Sequence, residues 1–204
     1  MSDGRDFARG AWWLRLLAVA ACLLSSATPA ASPAPAQFDE EAPLESWTAV
    51  SRDRDIAATD ESELRALRPP LLHLHITSPF GERLNPVMLR KVFHKGVDYG
   101  APTGTPVYAA QFGTVEAVGL QDHSGIYVRL RHSQRVETIY AHLHRIMPGL
   151  HRGSILRSGD ILGFVGSSGF ATGPHLHYEV LLGGRPINPE LCRNPLQPVK
   201  HNEP

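Results

Sequence analysis

IYVRLRHSQRVETIYAHL, residues 126–143, decides the fold. Ile126, Val128 and Leu130 alternate with Tyr127, Arg129 and Arg131, the period of two that a strand shows when one of its faces is buried. The polar run His132, Ser133, Gln134, Arg135 then supplies a turn before a second apolar-rich run, 136–143, so the stretch predicts a β-hairpin. Working outward, 107–110, 114–118 and 161–165 are further short strand candidates, each ended or interrupted by Gly113, Gly119, Gly163 or Gly166. No segment of this region holds a helical period over three turns. The expected class is all-β.

The chain has 204 residues, room for one ordinary domain with a leader and a linker. Twenty Lys and Arg balance 20 Asp and Glu, and no basic stripe interleaves with aromatics, which argues against a nucleic-acid partner. Residues 1–36 carry arginines, a short apolar run at 16–24, then small residues and prolines, the layout of a secretory signal peptide. That run is too short to span a bilayer comfortably, so no stable span is expected in the mature form. Export to the periplasm follows, with a lipid anchor on Cys22 as the alternative. Removal of the leader beyond Cys22 leaves Cys192 without an intrachain disulfide partner, so an exported domain is held by its core or by a metal. Residues 37–71 are acidic and mixed and read as a solvated linker, or alternatively as an inhibitory segment. A short helix is expected at 60–67, capped by Thr59 or Asp60 and stopped by Pro69 and Pro70. The folded domain is expected at 72–195, with a tail at 196–204.

Eleven histidines are many for this length, and eight of them fall between His94 and His177. Such clustering suits a metal or acid–base site. The triplet His-Leu-His occurs three times, at His73 to His75, His142 to His144 and His175 to His177. On a strand, PHLHYEV at 174–180 sends His175, His177 and Glu179 to one face, expected to be open, and Leu176, Tyr178 and Val180 to the other. The other two triplets alternate equally well, and such a pair alone is more often solvent-facing than metal-binding. FHKGVDYGAPTGTPV at 93–107 adds His94 and Asp98, four apart, in a segment where Gly96, Gly100 and flanking prolines favour a turn at a strand end over a helix. With one HxH pair, these two offer the three protein ligands that catalytic zinc takes, leaving a fourth position for water. No HExxH arrangement supplies a carboxylate base. The run Gly166, Ser167, Ser168, Gly169 lacks the ending of a phosphate-binding loop and reads as a groove wall or a long turn.

Taken together, Thr77 to Gly81 (TSPFG), Arg83 to Pro86 (RLNP), HKGVD, YAHL at 140–143, GSSGFATGPHLHYE at 166–179 and the trailing Arg185 to Pro189 resemble the lysostaphin/LytM-type zinc metallopeptidases of peptidoglycan. The RLNP wording is similar to that of the Gram-negative murein D,D-endopeptidases. The resemblance implies mainly antiparallel sheets in a barrel-sandwich domain. It also implies one Zn2+ bound by His94, Asp98 and His177, with His142 and His175 flanking a catalytic water, and hydrolysis of peptide cross-links in peptidoglycan. The alternative it carries is a non-enzymatic module that binds and activates cell-wall amidases. The tyrosine that some relatives place just before the first zinc histidine has no counterpart in Met88 to Val92, and that role is unassigned.

Overall fold

A computed structural model describes residues 41–42, 58–85 and 90–192, all within the unit 35–204. The leader expected at 1–36, most of the expected linker, residues 86–89 and the expected tail at 196–204 lie outside the described residues. Among the described residues thirteen strands account for nearly all the regular structure: β1 (Glu41–Ala42), β2 (Ile76–Ser78), β3 (Gly81–Asn85), β4 (Arg90–His94), β5 (Val97–Gly100), β6 (Pro106–Tyr108), β7 (Gly113–Gln121), β8 (Gly125–Arg131), β9 (Val136–Ile146), β10 (Ile155–Leu156), β11 (Ile161–Val165), β12 (His175–Leu182) and β13 (Arg185–Ile187). The helix α1 (Ala58–Arg65) precedes β2, and a 3-10 turn, Pro189–Cys192, follows β13. Every strand pairing among the described residues is antiparallel, as the resemblance leads one to expect.

The expected hairpin is β8 and β9. Ser133 closes its turn, its hydroxyl accepting from the backbone N–H groups of Arg135 (3.2 Å) and Val136 (3.1 Å). From this hairpin the large sheet extends in the order β10, β7, β8, β9, β12, β5, β2, with β13 beside the C-terminal half of β12 and β11 bridging β6 and β9. A second, three-stranded sheet has the order β1, β4, β3. Val97, Tyr99, Val107, Val115, Val128, Leu130, Tyr140, Leu143, Leu162, Val165, Leu176 and Val180 form the core. Burying these side chains is the main favourable term in folding a domain with no disulfide among its described residues.

Two expectations about the segment before residue 72 need correction. Helix α1 begins at Ala58, so Thr59 and Asp60 both lie inside its first turn rather than at the cap, and the Asp60 carboxylate accepts from Arg135 Nη1 at 2.7 Å. The stretch is also not solvated throughout, because Leu64, Leu67 and Leu71 are buried in the core. The helix stops at Arg65, before the two prolines, in tight turns from Ala66 to Glu63 and from Leu67 to Leu64.

Candidate metal centre

β12 delivers His175, His177 and Glu179 from alternate positions of one strand. β5 runs beside it with Asp98 opposite His177 and Gly100 opposite His175. His94 ends β4, and Lys95 and Gly96 alone connect it to β5. The HxxxD spacing therefore spans a turn between two sheets. No helix is involved, as its glycines lead one to expect.

Three donor atoms converge here. His94 Nε2 lies 3.1 Å from Asp98 Oδ1, His177 Nδ1 lies 2.8 Å from the same oxygen, and the two nitrogens are 3.1 Å apart. The residues are 0, 6 and 1% exposed for His94, Asp98 and His177. The face of β12 expected to be open is thus closed, since His94 at the end of the small sheet covers His177. Burial pushes the Asp98 carboxyl up, but the neighbouring His177 and His94 outweigh it and hold the group well below the usual carboxylate range, so that it stands as an anionic acceptor.

The outer ring nitrogens fix where the protons sit. His94 Nδ1–H donates to the Pro79 carbonyl at 2.8 Å, because a carbonyl only accepts. His177 Nε2–H donates to Glu179 Oε1 at 3.1 Å. With both protons on the outside, the inner His94 Nε2, His177 Nδ1 and Asp98 Oδ1 are all acceptors. Three lone pairs facing one another repel unless a cation lies among them. Donors about 2.0–2.1 Å from a tetrahedral zinc are separated by roughly 3.3 Å, so the observed triangle fits one face of such a shell after a small outward shift.

His142 and His175 stand beside the triangle, with ring centroids 4.7 Å apart, and the His142 ring is 6.0 Å from that of His177. His142 Nδ1–H donates to Ser168 O at 2.7 Å, and His175 Nδ1–H donates to Gly173 O at 2.8 Å. In both rings this leaves Nε2 as the acceptor nitrogen. The His175 side chain is 14% exposed and its Nε2 is 3.9 Å from Asp98 Oδ1, which makes it the member of the group nearest solvent. The loop 166–174 thus supplies the carbonyls that orient both rings, consistent with a groove wall.

Residues 92–189 match peptidase family M23. This part of the chain is an M23 peptidase domain. The DD-carboxypeptidase/endopeptidase Mpg of Neisseria meningitidis is 45% identical over 120 residues, covering 59% of this chain and 27% of that protein. The peptidoglycan DD-endopeptidase ShyC of Vibrio cholerae is 41% identical over 130 residues, covering 63% of this chain and 30% of its own length. Among solved structures, a zinc-containing peptidase from Vibrio cholerae superposes with a TM-score of 0.55 at 35% identity, over 61% of this chain and 38% of the other. The chain therefore spans less than a third of the length of these two curated relatives.

Within that domain the structure brings together all five residues singled out in the sequence: His94, Asp98, His142, His175 and His177. It leaves His73, His75 and His144 exposed. Sequence reasoning gave no role to two further residues of the centre. The alternation puts Glu179 on the histidine face of its strand and implies nothing further. Arg83, quoted only within RLNP, lies with Nη1 3.4 Å from Asp98 Oδ2 and donates to Ser78 Oγ at 2.6 Å. Its charge engages the Asp98 oxygen that the histidines leave open, and no local pattern around Arg83 announces that contact.

Proposed function

We propose that the chain is a zinc-dependent endopeptidase that hydrolyses peptide cross-links of peptidoglycan, with one Zn2+ held by His94, Asp98 and His177. The observation that carries this reading is the convergence of three buried acceptor atoms within 2.8–3.1 Å of one another, in an M23 domain whose relatives are named as DD-endopeptidases. Bound zinc would supply Lewis-acid charge to polarise the scissile carbonyl and to make water acidic enough to react near neutral pH. His175 and His142, each with Nδ1 anchored and Nε2 accepting, are the groups to take a proton from the attacking water and return one to the leaving amine. Imidazole suits both directions of transfer, with an unperturbed pKa near 6.5. A substrate in cross-linked peptidoglycan agrees with the export signal expected at 1–36 and with a periplasmic site of action. Among the described residues no helix is long and apolar enough to cross a membrane.

The test is zinc content together with muropeptide release from cross-linked peptidoglycan, comparing the parent with His175→Ala. One equivalent of zinc in both, with dimers converted to monomers by the parent alone, is the expected result. Zinc without cleavage by the parent would favour a binding-only activator. Absence of zinc from the parent would overturn the ligand assignment.

A further inference from the structure

His94, His142, His175 and His177 each turn one ring nitrogen inward and tie the other to an anchor. Three of the anchors are main-chain carbonyls, those of Pro79, Ser168 and Gly173. The fourth is different: His177 is tied to the carboxylate of Glu179.

Glu179 is only 4% exposed, and it pairs in the sheet with Ile139, itself buried. A carboxylate with a neutral imidazole as its hydrogen-bond partner is a poor way to stabilise a core, where an apolar side chain of similar size would usually do better. The placement becomes favourable once a divalent cation sits at the far side of the ring. Carboxylate, imidazole and cation then form a line of complementary charge, in which the outer anion fixes the ring and makes it a stronger donor. Strand geometry delivers this arrangement directly, because a residue two places after His177 lies on the same face as its ring.

Resting on the zinc reading above, we infer that Glu179 is a positioning residue for the metal. It holds His177 with Nε2 protonated and Nδ1 turned inward, and its charge raises the affinity of the site.

The experiment measures zinc affinity by chelator competition in the parent, Glu179→Gln and Glu179→Ala, with thermal midpoints of the metal-free proteins and the 15N ring signals of His177. Glu179→Gln keeps the shape and an acceptor oxygen but loses the charge. It is expected to retain the metal-free midpoint of the parent and the His177 tautomer while binding zinc about tenfold more weakly. Glu179→Ala is expected to lose more, up to about 100-fold, and to lose the single tautomer. Zinc affinity of Glu179→Gln within about twofold of the parent would overturn the inference, whether or not Glu179→Ala folds. A parent that binds no zinc would refute the metal centre itself, a distinct result.

Discussion

Gly96 lies against the imidazole of His177. A Cβ at this position would fall 2.8 Å from His177 Cε1, 2.9 Å from its Nε2 and 2.5 Å from the Tyr178 carbonyl oxygen. None of these contacts is tolerable, and the backbone carbonyl has nowhere to move within a paired strand. The glycine of HKGVD is therefore what lets β5 pass close enough to β12 for Asp98 to reach His177. Gly96→Ala is expected to displace the ring, lowering zinc affinity at least about tenfold and stability by about 1–3 kcal/mol. Metal content after dialysis and urea unfolding of the metal-free protein check the two effects separately.

His142 is the one non-glycine residue among those described that has a positive φ, 58°. Its N–H donates to Ser124 O at 2.9 Å while its ring reaches Ser168 O, so the backbone and the side chain are both held in this conformation. Asparagine tolerates left-handed geometry, whereas a β-branched residue does not. His142→Asn is expected to fold with little change beyond the lost ring contact, yet to lose turnover. His142→Val should lose turnover and a further 1–2 kcal/mol or so of stability. Calorimetry of the pair, alongside the muropeptide assay, distinguishes the backbone requirement from the chemical one.

This strained residue also marks where sequence reasoning stops. The β8 and β9 hairpin was legible because 126–131 alternates with a period of two up to a polar turn, and the strand Ile161–Val165 because a short apolar run is punctuated by glycine. The three His-Leu-His triplets are locally indistinguishable, and only the resemblance told them apart. What separates them physically is long-range: His142 turns left-handed beside the register shift between Ile126 and Val128, and His177 faces Asp98 across a strand pairing and meets His94 from the other sheet. Burial of the histidine face of β12 was hidden for the same reason, since the side chain that covers it comes from the other sheet. Asp60 was misread as a cap because its partner, Arg135, is 75 positions away.

His132 couples stability to pH. Burial lowers its pKa below the ordinary 6.5, against the opposing pull of the Phe112 carbonyl, Glu137 and Glu63. Its ring also contacts Thr138 Oγ1 at 2.8 Å, the start of a buried chain through Tyr140 to the Ala110 N–H. As the pH falls below about 6.5 the unfolded chain takes up this proton first, so stability declines until the folded-state pKa is passed and then levels off. Above that window the group contributes no slope. Urea midpoints measured from pH 7.5 to 5 are expected to fall less steeply in His132→Gln than in the parent. Parallel slopes would remove His132 as a source of acid sensitivity.

The stretch before residue 72 is the last place where two readings divide. An inhibitory or solvated segment would leave the fold intact when removed. Here, however, Leu64, Leu67 and Leu71 enter the core, Arg68 N–H donates to Ala110 O at 2.8 Å, and Pro70 O accepts from Tyr108 N–H at 2.9 Å. Leu71→Ala alone should cost about 2–5 kcal/mol, the usual range for a fully buried leucine. A chain begun at residue 72 is expected to melt well below one begun at residue 58, because the rim of the core is stripped of three leucines and two backbone hydrogen bonds. Rates of muropeptide release, taken at a temperature where both chains are folded, separate the two ideas. Equal rates with unequal melting temperatures identify the segment as part of the domain's packing. Equal melting temperatures would show that its leucines contribute nothing to the fold.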